Sequence, residues 1–168
     1  MIKVLSTGAV MTPGSEPGAQ EYSYDELKAA VDEAGKASLK VACHAFGDKG
    51  ARDAVPAGVA SIEHGSFLSE ETLQLMKQRG TFLVLDLYNQ EAMLAHPAGA
   101  PPEYVEKMKL AFASGQRVLL RALELGIPLA FGTDAPVIPH GENARQFATP
   151  RSDAALRGSG GGKRPCRG

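Results

Sequence analysis

The chain has 168 residues, of which 43% are hydrophobic, 22% charged and 6% aromatic, an ordinary globular composition of about one domain's length that excludes wholesale disorder. Lys plus Arg is 18 against 19 Asp plus Glu, a net charge of -1 that excludes a nucleic-acid or membrane-surface binder. No run approaches the ~18 apolar residues of a membrane span, no signal-peptide pattern opens the chain, and Cys43 and Cys166 stand too far apart to suggest a disulfide scaffold or a thiolate zinc site, so a reducing cytoplasm is expected.

Strand and helix signals alternate along residues 1–147. The segment 2–6 (IKVLS) is short, apolar and β-branched, as a strand requires. Gly8 to Gln20 is rich in Gly and Pro and reads as loop. Ser23 and Glu26 form a capping box, and Leu27, Ala30, Val31 and Ala34 recur at helical spacing. Lys40 to Ala45 (KVACHA) is a second strand. Asp48 to Ala57 is helical, with Pro56 expected to kink or end it. Val59 to Glu63 is a third strand, and Ser69 caps a helix that Gly80 stops. Thr81 to Leu87 (TFLVLDL) is a fourth strand. A long loop, Asp86 to Pro102, leads to a helix from about Glu103 to Leu125, closed by Gly126, and Pro128 to Gly132 begins a fifth strand. Strands alternating with helices predict βαβ crossovers and a parallel sheet. No GxGxxG or Walker pattern follows any strand, which argues against a nucleotide site.

The last segment, 148–168, has a different character. It holds five basic residues (Arg151, Arg157, Lys163, Arg164, Arg167) against the single acid Asp153, and five of the 19 glycines. Residues 1–147 therefore carry 13 basic and 18 acidic side chains, a net of -5, and the tail carries +4. The tail has no apolar periodicity and reads as disordered and without a function of its own.

Chemistry-bearing side chains collect at the strand ends. Lys3 lies in the first strand, His44 ends the second, His64 ends the third in the phrase SIEHG, and Asp134 follows the fifth in FGTDAP. In an αβ barrel the carboxyl ends of all strands face one mouth, where catalytic groups are held. Two imidazoles and a carboxylate suit a zinc-like ion, and a metal-bound water ionises near neutral pH and attacks a carbonyl. Taken singly, each residue reads as ordinary. A lone strand-end His is a satisfied polar contact, Lys3 a solvated charge, and Asp134 a turn or cap residue. Asp86 and Glu63 also lie near strand ends and are read as structural. The functional reading rests on the set.

The stretches IKVLSTGAVMTPG, VACHAFGDKGARDAVPAGVASIEHGSFLSEETLQLM and GIPLAFGTDAPVIPHGENARQF carry a resemblance over residues 2–147. In them the chain resembles the amidohydrolase superfamily of metal-dependent hydrolases, in its imidazolonepropionase-like and Xaa-Pro-dipeptidase-like branch. The resemblance implies a partial TIM (β/α)8 barrel of about five parallel strands, the fourth to eighth of the family's barrel. It implies that Lys3 matches a lysine that becomes carboxylated and bridges two metals. His44 and His64 match the ligands on the fifth and sixth barrel strands. Asp134 matches an aspartate that is both a ligand and a proton shuttle. His140, in the loop that follows, matches a substrate contact or is a surface histidine.

The family's His-x-His pair on its first strand has no counterpart, since the histidines here are His44, His64, His96 and His140. The expectation is a barrel domain over 1–147, corresponding to the C-terminal part of a barrel only, and a frameshifted end over 148–168. A partial barrel keeps open edges, which invite self-association. The implied function is hydrolysis of a carbon–nitrogen bond in a dipeptide or N-acyl amino acid by a metal-activated water. Cyclic-amide hydrolysis and a catalytically incomplete fragment are the alternatives. At most one weakly held zinc ion is expected, and neither nucleic acid nor membrane as a partner.

Overall fold

The structure is a computed structural model that describes residues 1–97, 99–135 and 137–148. The chain runs β1 (Ile2–Leu5), α1 (Tyr24–Lys36), β2 (Val41–Gly47), α2 (Asp48–Ala57), β3 (Ser61–Phe67), α3 (Glu70–Arg79), β4 (Phe82–Val84), α4 (Leu87–Ala95), α5 (Pro102–Leu125) and a short 3-10 helix, Asn143–Phe147. The strands form one parallel sheet in the order β1-β2-β3-β4. This is the α/β architecture expected of part of a barrel. Residues 149–168, nearly all of the basic tail, lie outside the described residues.

Local chemistry sets the helix ends. Glu26 Oε2 accepts the Ser23 backbone N–H at 2.9 Å while Ser23 Oγ accepts from Glu26 N, the capping box that starts α1. Ser69 Oγ accepts the Thr72 N–H at the start of α3. Gly58, Gly80 and Gly126 take left-handed conformations after α2, α3 and α5. Pro56 lies in the last turn of α2, which ends one residue later at Ala57.

Two expectations need correction. The fifth strand shrinks to a single bridge between Leu83 and Leu129, so among the described residues four parallel strands stand where about five were expected. The bridge is held by Leu83 N–H to Pro128 O at 2.9 Å and Ala130 N–H to Leu83 O at 3.0 Å. It extends no further because β4 has only three residues to pair with, and because Pro128 has no N–H to donate. The loop expected over 86–102 contains α4. Its buried residues Leu87, Tyr88, Asn89 and Gln90 are consecutive, so no helical periodicity announces it.

Strand alternation sends one set of side chains into a helix-covered core. Val41, Cys43, Ala45, Ile62, Leu83 and Leu85 from the sheet pack against Leu27, Ala51, Val55, Leu73, Met76, Val118 and Ala122 from the helices. The alternate set lies on the opposite face in two rows, Lys3–Ala42–Ser61–Phe82 and Leu5–His44–Glu63–Val84. This inner face is open at its edges, with Leu5 47% and Phe82 44% exposed. The loop after β1 folds back beside β2. Gly8 N–H donates to Ala19 O, and Lys107 Nζ of α5 donates to Ser15 O at 2.8 Å. A Cβ on Gly47 would lie 2.2 Å from Gly18 Cα, so this close approach requires glycine.

Two stability predictions follow from the packing. Met76 is fully buried among the helices and β-sheet, and Met76→Ala lowers unfolding free energy by about 2–5 kcal/mol in urea titration. Asp48 Oδ1 accepts the Ser69 N–H at 2.7 Å, joining the start of α2 to the start of α3. Burial pushes the Asp48 carboxyl up, but hydrogen bonds from Ser69 and Thr72 and the Arg52 charge outweigh it and hold it below 3.8. Its stabilisation is therefore complete above the unfolded value and is lost as pH falls through the lower folded one. Thermal melts of wild type and Asp48→Ala converge under those acid conditions and differ at neutral pH.

Candidate active site

Several separate segments meet at one cavity of about 220 Å³ beside the carboxyl end of the sheet. Its walls include Lys3 of β1, His44 and Phe46 of β2, His64 of β3, and Asp134 beyond the Leu129 bridge. They also include Asp86, Asn89 and Gln90 at the start of α4. All four residues expected to be ligands thus border the same space. His140 does not. It is exposed, and it lines neither this cavity nor the larger one of about 930 Å³ bordered by Tyr88, Phe112, Ile138 and Glu142. The smaller cavity is the one that the strand-borne Lys3, His44 and His64 share with Asp86 and Asp134, whereas Glu91, His96, Glu142 and Arg145 line the larger one.

Lys3 and His44 reach the cavity by simple alternation, since both lie on the inner face. His64 does not. It stands opposite Ala45, in the phase that faces the helices. A φ of +70° at His64 and +59° at Gly65 breaks that phase and brings the ring to the inner side. Its centroid lies 4.5 Å from that of His44, edge to face, and Phe46 stacks on it at 4.5 Å. Asp134 is likewise left-handed, with φ +52°. Only three described non-glycine residues have positive φ, and two of them are these cavity residues. Such strain costs about 1–3 kcal/mol per residue and persists where the surrounding structure enforces it, typically at functional sites.

Burial, followed by the His64 and Lys3 charges, pushes the His44 imidazole down to about 4, so the ring is neutral in ordinary buffer. Its Nε2 is buried without a hydrogen-bond partner. A neutral imidazole with an unpartnered lone pair is the form a metal ion takes. Asp134 is pushed up by burial; His64 and Lys3 oppose the shift and the Asp86 charge reinforces it. The donor set of two imidazoles, a carboxylate and a lysine thus fits a divalent ion in kind. Among the described residues, however, no three His, Cys, Asp or Glu side chains are grouped closely enough to hold one.

Asp86 is the residue that the sequence reading left as structural. Its carboxylate accepts from His64 Nδ1 at 3.0 Å, Asn89 Nδ2 at 3.0 Å and Gln90 Nε2 at 3.1 Å. Burial pushes its carboxyl up, but the His64 hydrogen bond and charge, with Gln90, outweigh it and hold it below its usual value. The signal available in the sequence was an acid inside the apolar run TFLVLDL, a position that burial tolerates only with partners. Glu63 instead accepts from Ser61 Oγ at 2.5 Å, and it does not line the cavity.

A parallel sheet with ionisable groups gathered at its carboxyl end is the arrangement of part of an αβ barrel. Residues 1–160 match the model of the amidohydrolase family, and the chain belongs to that family. An uncharacterized protein of Mycobacterium tuberculosis is 38% identical over 130 residues, covering 76% of this chain and 35% of the relative. Ochratoxinase of Aspergillus niger is 34% identical over 154 residues, covering 90% of this chain and 32% of the enzyme. The solved ochratoxinase structure superposes with a TM-score of 0.77, covering 88% of this chain and 33% of that one. A Xaa-Pro dipeptidase with methionine bound in its active site superposes with a TM-score of 0.83 at 32% identity, covering 89% of this chain and 37% of that one. The chain thus spans about a third of the length of the curated relatives it matches.

The orphaned His44 nitrogen gives a direct test of what the cavity is built for. A buried unpartnered group is a stability cost that an apolar residue of similar size removes. His44→Leu keeps the unfolding free energy of the metal-free protein within about 1 kcal/mol of wild type. A divalent-ion site that includes His44 predicts that such an ion raises the melting temperature of wild type and leaves that of His44→Leu unchanged, a difference that paired thermal melts read.

Proposed function

We propose that this chain carries the strand-end ligands of a hydrolase that cleaves the carbon–nitrogen bond of a small substrate, such as a dipeptide or N-acyl amino acid. The observation that carries the reading is the convergence of Lys3, His44, His64 and Asp134, from four segments, on one cavity. The names of the similar proteins, Xaa-Pro dipeptidase and ochratoxinase, support it. His44 and His64 would hold a zinc-like ion as neutral imidazoles, with Lys3 and Asp134 as the remaining donors. When bound, such an ion lowers the pKa of a coordinated water and polarises the scissile carbonyl.

The protein's own groups do the rest. Asp134, whose carboxyl is pushed up by partial burial, accepts a proton from the attacking water at its carboxylate and returns it to the leaving nitrogen. Phe46, stacked on His64, restricts that ring and excludes water from one side of it. The loop Gly8 to Gln20, whose Ala9 and Val10 line the cavity, and the Asp86 to Pro102 segment shape the substrate pocket.

A second reading is favoured by one observation: among the described residues no three-ligand cluster forms. In that reading the chain binds one ion weakly and completes no turnover by itself, and its open sheet edges pair with another copy. Mass-spectrometric metal analysis together with hydrolysis of Xaa-Pro and N-acyl substrates in added zinc separates the two. The enzyme reading expects turnover that Asp134→Asn lowers about 100- to 10,000-fold. Turnover that survives both Asp134→Asn and His64→Ala sinks it, and zinc binding without turnover supports the incomplete barrel.

A further inference from the structure

Asp86 is the most heavily engaged side chain beside the cavity, and its engagement has a one-sided form. It is 4% exposed, lies two residues past the end of β4 and stands at the N-cap of α4. Oδ1 accepts from His64 Nδ1 and Gln90 Nε2, and Oδ2 accepts from Asn89 Nδ2. Because both amides turn their NH2 groups to the carboxylate, their carbonyl oxygens face elsewhere. Asn89 Oδ1 and Gln90 Oε1 are both buried without a hydrogen-bond partner.

A buried polar network that serves stability alone satisfies all of its members, since a half-satisfied one is worse than apolar packing. Here only the carboxylate at the centre is satisfied, and two carbonyls are left unpaired to hold it. What the arrangement fixes is the imidazole. A carboxylate accepts and cannot donate, so the neutral ring opposite it carries its proton on Nδ1 and presents Nε2 as a bare lone pair. Phe46, stacked nearly parallel to the ring at an interplanar angle of 7°, limits its rotation. The left-handed φ of His64 places the ring within reach of Asp86.

We propose that Asp86 is the positioning residue of His64, holding it as the Nδ1–H tautomer so that Nε2 is the nitrogen offered to the cavity. This rests on the hydrolase reading of the same site and names what prepares one of its ligands. Asn89 and Gln90 in turn hold Asp86, which explains why the first turn of α4 is buried and polar at once.

The test uses the full chain with nitrogen-15-labelled histidine rings in mildly alkaline solution. Two-bond proton–nitrogen spectra report the tautomer, and the signal that disappears in His64→Gln assigns it. Wild type shows the proton on Nδ1. Asp86→Ala moves it to Nε2 and weakens zinc binding, measured by competition with a chromophoric chelator, about 10- to 100-fold. A wild-type His64 protonated on Nε2 overturns the proposal, and this reading needs no variant to fold. An unchanged Nδ1–H tautomer in a folded Asp86→Ala protein overturns it as well. A tautomer that shifts while zinc affinity stays constant upholds Asp86 as the positioning residue and overturns the metal reading of the site.

Discussion

The packing of helices onto one face of the parallel sheet governs the rest of the molecule. Ile62 and Leu83 are fully buried against α3, α5 and their neighbours, so their own strand neighbours Ser61, Glu63, Phe82 and Val84 are sent to the other side. Parallel sheets are normally covered on both faces. In this chain the second face carries Lys3, His44 and Glu63 among exposed Leu5 and Phe82. The same alternation that builds the core therefore supplies the ionisable surface. Core and site cannot be shifted independently, because a one-residue slip of register would exchange them.

The site then departs from that regular pattern at particular places. His64 is brought to the cavity by a break in strand phase, and Asp134 by a left-handed backbone. Asp86 is a buried charge, His44 a buried imidazole with an orphaned nitrogen, and Asn89 and Gln90 carry orphaned carbonyls. Each departure works against stability on its own. Together they surround 220 Å³ of space, which is the pattern of a protein that gives up local stability to hold reactive groups in place.

Much of this was legible in the sequence. The capping box at Ser23, the cap at Ser69 and the stops at Gly80 and Gly126 depend on short-range chemistry, and they appear where the letters put them. The convergence of Lys3, His44, His64 and Asp134 was legible because strand ends in a parallel sheet share one side. The fifth strand was overestimated because its pairing depends on the length of β4, a tertiary matter that the apolar run PLAF does not encode. Helix α4 was missed because its buried turn is polar for the sake of Asp86 and so breaks the amphipathic period. His140, matched by resemblance to a substrate contact or else a surface histidine, is exposed and lines neither cavity.

The sheet order follows the chain order, strand by strand. Each pairing can form as soon as its crossover is made, so the topology imposes no late rearrangement on a folding chain. The crossovers differ in length, and the one between β1 and β2, with its loop and α1, is the longest. Closing it costs the most chain entropy of the three. His44 and His64 therefore meet through a short, inexpensive closure, and Lys3 is the member of the cluster whose arrival the chain's own connectivity makes most costly.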